Sequence, residues 1–350
     1  MGPDRAVPLR VPRGRPVPVD HRDRRGGRRP GSGLRARPPQ IVPPIPDSYG
    51  ARVRSYAPDA EEWLRRLPGL IARLLDEWGL TWDGSQLWHG NVAVVIPVLL
   101  PDGTPAALKV SYPSFESARE SAALARWGGR GAVRMLRADP DEQAILLERL
   151  DPTRSLLSVP VPQAIPIWGA LMRGLSIVVP DGEFDTLPDL AARWAEQLPD
   201  LWRRLGRPCP QWLIEDAVAV CREPAGGAVL VHTDLHFENV LAGPDDWRAI
   251  DPKPLSAVGE FAVAPMLWNR LADLDGRRGA GLRARCDDLA DSAGLDRELA
   301  RRWSIAREVD NHLDYLSMGE AADAQRSLWV ATALSGREDP HVDPAALAAP

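Results

Sequence analysis

The chain predicts an α+β protein in two lobes, a small antiparallel sheet carrying one helix followed by a mostly helical half. Three observations carry that prediction. Two β-rich runs, residues 92–100 and 106–111, are joined through Pro101-Asp102-Gly103, a turn whose glycine supplies positive φ for a hairpin. After Leu150-Asp151-Pro152 the apolar residues recur at three and four over 163–178, 186–205 and 211–222, which is helical spacing. Short apolar strands then return at 228–231, 239–242 and 247–250, on either side of a polar stretch from His232 to Asn239.

Residues 1–46 hold 11 Pro and 11 Arg with almost no apolar periodicity, too little apolar surface to offset the entropy of ordering, and are expected to be disordered. The first lobe is expected over 47–150. It opens on a helix in which Trp63, Leu64, Leu67, Leu70, Ile71, Leu74, Leu75 and Trp78 share a face, broken in two by Pro68 and ended by Gly79. The hairpin follows and places Lys109 on its second strand. A helix over 115–127, carrying Glu116 and Glu120, and strands at 133–136 and 144–147 complete the lobe. The second lobe is expected over 151–340, with helical stretches from about 259 to 335.

Composition narrows the function. The net charge of −5 conceals a basic segment before residue 47, so the folded part is acidic, which favours a cationic partner over nucleic acid. No apolar run approaches the roughly 18 residues of a membrane span. Cys209, Cys221 and Cys286 have no metal-ligand spacing and fit buried thiols in a reducing cytoplasm. Of 43 basic residues only Lys109 and Lys253 are lysine. A compact ammonium suits a single phosphate contact, whereas arginine is a wide planar fork, so both lysines are functional candidates.

The polar stretch reads as a phosphoryl-transfer site. Such chemistry needs a carboxylate for the acceptor hydroxyl, oxygen ligands for Mg²⁺ and a lysine on the nucleotide phosphates. In His232-x-Asp234-x-x-x-x-Asn239, followed by Asp251, Asp234 supplies the first, and Asn239 and Asp251 the second. A competing reading takes His232, Asp234 and His236 as the metal cluster of a hydrolase, but His21, His89, His312 and His341 make no set with them.

Taken together, Ala107-Leu108-Lys109-Val110, Glu120 with Ala122-Ala123-Leu124, the run from Leu146 to Pro152, the run from His232 to Leu241, and Ile250-Asp251-Pro252-Lys253-Pro254 resemble the aminoglycoside and hydroxyurea antibiotic-resistance kinases over residues 80–335. The resemblance implies a protein-kinase-like bilobal fold with ATP between the lobes. It implies that Lys109 meets the α/β-phosphates, paired by Glu120 with Glu116 as the fallback, and that Glu148 to Leu150 is the connection whose backbone meets adenine. Asp234 would be catalytic, Asn239 and Asp251 would hold Mg²⁺, and Lys253 would lie near the metal and phosphates. No G-x-G-x-x-G occurs before Val98, and Asp251 precedes Pro-Lys-Pro rather than Phe-Gly, which argues against a mobile switch.

The expected activity is therefore ATP- and Mg²⁺-dependent transfer to a hydroxyl of a small, cationic molecule, a streptomycin-like aminoglycoside. A nucleotide-binding pseudokinase is the alternative from another class. Glu308, Asp310, Asn311, Asp314, Tyr315 and Glu320 are the candidate acceptor residues, with Asp310 and Asp314 on one helix face.

Overall fold

The computed structural model describes residues 41–57, 59–113, 115–223, 228–274 and 276–347. The disorder expected over 1–46 lies outside the described residues up to residue 40.

The first lobe begins with α1 (Asp47–Tyr56) and α2 (Ala60–Glu77) and then builds a six-stranded antiparallel sheet. Its strands are β1 (Thr81–Trp82), β2 (Trp88–His89), β3 (Ala93–Leu99), β4 (Pro105–Ser111), β5 (Met135–Asp139) and β6 (Ala144–Glu148), in the order β1-β3-β4-β6-β5 with β2 also on β3. Gly103 takes φ +85° in the β3–β4 turn, as the hairpin reading requires. The helix expected to break at Pro68 runs through it as α2. Pro68 is exposed, and burying Leu67, Leu70, Ile71, Leu74 and Leu75 around it outweighs the ~3 kcal/mol that an internal proline costs.

β4 is central and buried on both faces. Because strand side chains alternate, Ala106, Leu108 and Val110 join the core with α2, whereas Ala107 joins the core shared with Trp127, Ile145 and Leu147. Lys109 shares the second face, which looks toward α3 (Phe115–Trp127).

The chain leaves β6 at Glu148 and enters β7 (Asp151–Ser155), which pairs with β9 of the second lobe. β7 contains no apolar residue and is defined by its partner, so no alternation could reveal it. The second lobe contains α4 (Val161–Leu175), α5 (Leu187–Arg204), α6 (Gln211–Cys221), β8 (Val229–Val231), β9 (Val240–Ala242), β10 (Trp247–Ala249), β11 (Leu255–Ala257), α7 (Arg278–Ala293), α8 (Arg297–Met318) and α9 (Ala321–Leu334). Where helix was expected from 259, the chain instead makes three short 3₁₀ turns as far as Leu274, with Pro265 inside the second, and α-helix starts only at Arg278.

Candidate functional site

Two strand pairings assemble the polar stretch. β8 pairs with β11 and β9 with β10, so the loop from His232 to Asn239 and the loop from Ile250 to Pro254 run side by side. Four bonds stitch them: Ile250 N to Asn239 O at 2.9 Å, Lys253 N to His232 O at 3.1 Å, His232 Nε2 to Ile250 O at 2.9 Å and Thr233 Oγ1 to Lys253 O at 2.5 Å. Asn239 donates through Nδ2 to Asp234 O at 2.9 Å, with Asp234 Oδ2 at 3.5 Å, so Asn239 Oδ1 is not used in these contacts. Lys253 Nζ lies 3.1 Å from Asp234 Oδ2.

The first lobe supplies the rest. Lys109 Nζ donates to both oxygens of Glu120 at 2.7 Å and to Asp251 Oδ1 at 2.5 Å, joining β4, α3 and the loop after β10 across 142 residues. Burial pulls the Lys109 ammonium down, but Asp251 and Glu120 overcome it and hold its pKa above the ordinary value. Burial pushes Glu120 up, only partly offset by Lys109. The Lys109 charge holds Asp251 down at about 2, so that carboxylate is anionic at any working pH. The Glu116 side chain lies outside the described residues.

Two residues of these loops have positive φ without being glycine. Thr233 has φ +47° and Asp251 φ +55°, a region that costs non-glycine residues about 1–3 kcal/mol each and persists only where the surroundings dictate it. The loop bonds around both residues supply that constraint.

His232 is fully buried, and burial lowers its pKa to about 4, so it is neutral. Nδ1 accepts from Asp234 N at 3.3 Å, so Nε2 carries the proton donated to Ile250 O. With both ring nitrogens engaged and Trp127 stacked on its face at 6.1 Å, His232 braces the loop and is not a metal ligand. Among the described residues no group of three or more His, Cys, Asp or Glu could hold a metal ion unaided. Asn239 and Asp251 nevertheless form the hard-oxygen pair that suits Mg²⁺, which habitually completes its shell with water and phosphate oxygens.

The acceptor candidates separate on α8. Glu308 is wholly buried, with Oε1 accepting from Asn311 of the same helix at 3.0 Å and Ser327 of α9 hydrogen-bonded to its carboxylate, so it belongs to the α8–α9 packing. Asp310 is raised to about 7 by burial and by Asp314. Burial raises the Tyr315 phenol above its ordinary pKa. Asp314 and Glu320 are exposed.

Glu308 also predicts a pH effect. Burial raises its pKa from 4.5 to about 7, so the fold favours the neutral acid. The associated stability is full below the unfolded pKa and is lost as pH rises toward and through 7, a loss of about 3 kcal/mol at most. Glu308→Gln keeps the shape without the titration. Between pH 5 and pH 8 the wild-type melting temperature is expected to fall relative to the variant; parallel curves would exclude the effect.

Two lobes, an antiparallel sheet over helices, and a Lys–Glu pair facing an Asp-Asn-Asp loop system define a protein-kinase-like small-molecule phosphotransferase. The chain belongs to the aminoglycoside/hydroxyurea antibiotic resistance kinase family, whose pattern it matches over residues 77–319. It is 40% identical over 283 residues to a hydroxyurea phosphotransferase of Kitasatospora aureofaciens, covering 79% of this chain and 81% of that one. It is 36% identical over 304 residues to a streptomycin 6-kinase of Streptomyces glaucescens, covering 85% and 97%. The fold resembles a thermostable aminoglycoside phosphotransferase APH(4)-Ia in complex with ADP and hygromycin B, with TM-score 0.55, 14% identity and coverage of 76% of this chain and 97% of that one. It also resembles a Plasmodium vivax ethanolamine kinase, with TM-score 0.50, 12% identity and coverage of 75% and 83%. Among the described residues no helix is long and apolar enough to cross a membrane.

The structure brings together Lys109, Glu120, Asn239, Asp251, Asp234 and Lys253, and puts Glu148 and Leu150 on the connection between lobes. Sequence reasoning missed Trp127 behind His232 and Arg307, whose Nη1 donates to Thr233 O at 2.8 Å. Neither carried a signal, since Trp127 looks like core and Arg307 is one arginine among many.

Proposed function

We propose that the chain transfers the γ-phosphoryl group of Mg²⁺-ATP to a hydroxyl of a streptomycin-like aminoglycoside in the cytoplasm. The observation that carries this reading is the Lys109 ammonium shared between buried Glu120 and anionic Asp251 at 2.5–2.7 Å. That arrangement fixes one compact cation where phosphate charge must be neutralised. Asn239 and Asp251 would hold Mg²⁺, which would supply neutralisation of the phosphate oxygens.

Adenine would be held by the connection. The Glu148 amide is already committed to Arg134 O at 2.9 Å, so the base would have to use other backbone groups of the connection. Asp234 orients the acceptor hydroxyl and takes its proton, while neutral His232 fixes the loop from behind. Lys253, at 3.1 Å from Asp234, sits between the acceptor carboxylate and the phosphate side, where an ammonium steadies both. Asp310 and Asp314 suit a guanidinium or ammonium group. An approaching cation favours their ionised forms and removes the mutual repulsion that raises Asp310.

ATP consumption with Mg²⁺ against streptomycin, other aminoglycosides and hydroxyurea tests the reading. Turnover is expected only when an acceptor is present. ATP turnover of equal rate without any acceptor would overturn it, and turnover with hydroxyurea alone would move the acceptor assignment toward the 40%-identical relative.

A further inference from the structure

Arg307 lies outside every sequence motif, yet from the middle of α8 it reaches the catalytic stretch. Nη1 donates to Thr233 O at 2.8 Å and to Phe261 O at 3.3 Å. The guanidinium carbon lies 4.8 Å from the centroid of the Phe261 ring and 5.7 Å from that of Trp268, so two aromatic rings hold the group. Its helix is firmly placed, with Asp296 Oδ1 capping Leu299 N at 2.7 Å and Gly319 closing the other end at φ +83°.

What Arg307 touches is the strained residue of the loop. Thr233 is β-branched at φ +47°, a conformation such residues rarely adopt. Its hydroxyl is bonded to Lys253 O at 2.5 Å, and its carbonyl is held by Arg307. That carbonyl belongs to the same peptide unit as the Asp234 amide, whose N–H bonds back to His232 O at 2.7 Å. Fixing this peptide plane fixes the Asp234 Cα and the N–Cα axis about which its side chain can swing, and so narrows where the carboxylate can lie. Burial draws the Arg307 guanidinium below its ordinary pKa, opposed by Asp234, Glu308 and Asp310.

We infer that Arg307 is a positioning residue that clamps the strained Thr233–Asp234 peptide from α8 and thereby aims the Asp234 carboxylate at the acceptor hydroxyl. The inference rests on the catalytic role proposed for Asp234. An arginine suits the task because one planar group reaches two carbonyls while lying against aromatic rings; a lysine ammonium keeps the charge and a single donor contact.

The test uses the full chain, Mg²⁺-ATP and streptomycin, or hydroxyurea if that is what the wild type phosphorylates. Arg307→Met is expected to lower kcat about a hundredfold, the scale of an ångström-sized misalignment, with KM for ATP within about threefold. Arg307→Lys is expected to recover about tenfold of that loss and to melt within a few degrees of wild type. In an Asp234→Asn background, adding Arg307→Met is expected to change the residual single-turnover rate by less than about threefold, because the clamp then has no base to aim. Full kcat in Arg307→Met, or in a normally folded Arg307→Lys if the Met variant does not fold, overturns the inference, as does a hundredfold loss repeated in the Asp234→Asn background. Asp234→Asn with wild-type kcat would instead remove the proposed mechanism itself.

Discussion

Asparagine in place of Asp234 is expected to lower kcat by about 10³-fold while leaving the KM for ATP within about threefold of wild type. Asparagine preserves the shape of the loop and its contact with Asn239, but it cannot accept a proton from an acceptor hydroxyl. The nucleotide side should be little affected, because Lys109, Glu120 and Asp251 form their own set. Lys253 loses one ionic contact, yet its side chain is 48% exposed, so the stability cost should stay below about 1 kcal/mol. Steady-state ATP consumption with a saturating acceptor, together with a melting curve, separates the chemical loss from unfolding. A variant retaining a tenth or more of wild-type kcat would show that Asp234 does not carry the proton.

Much of this arrangement is legible in the sequence, and what is not has physical reasons. The β3–β4 hairpin follows from turn chemistry at Pro101-Asp102-Gly103, and α3 follows from local periodicity, so both depend on neighbours in the chain. The proposed catalytic stretch is legible because phosphoryl transfer restricts residue types: for the roles proposed for Asp234, Asn239 and Asp251 there are few substitutes. Lysine scarcity points to Lys109 for the same reason. It did not reveal that Lys253 pairs with Asp234 at 3.1 Å, since residue type says nothing of direction. β7, α2 across Pro68 and the Arg307 clamp depend on partners distant in sequence. Arg307 and Thr233 are 74 residues apart, and each has an ordinary local pattern. The positive φ of Thr233 is equally invisible, because a β-branched residue there contradicts local preference and is held by the assembled loops, whereas Asp251 is of a residue type that tolerates such backbone.

Lys109→Arg is expected to lower kcat/KM about a hundredfold or more although it preserves the charge. The Lys109 side chain is only 8% exposed, and its single nitrogen contacts both oxygens of Glu120 and one of Asp251 within 2.5–2.7 Å. A guanidinium is longer, flat and forked, and cannot converge three contacts on one point. Placed in the same space it must displace Glu120 or Asp251, and overpacking of this kind costs roughly 1–3 kcal/mol. Glu120 has little room, being buried at the face of α3. Asp251 is the easier one to move because its side chain is half exposed, but moving it takes the proposed metal ligand away from Asn239 and disturbs a backbone already at φ +55°. The loss should therefore fall on catalysis and on the Mg²⁺ concentration for half-maximal rate rather than on the fold. Titrating Mg²⁺ in the variant checks this point. A kcat/KM within threefold of wild type at unchanged Mg²⁺ dependence would mean that charge alone suffices at this position, and the scarcity of lysine elsewhere in the chain would then carry no functional meaning.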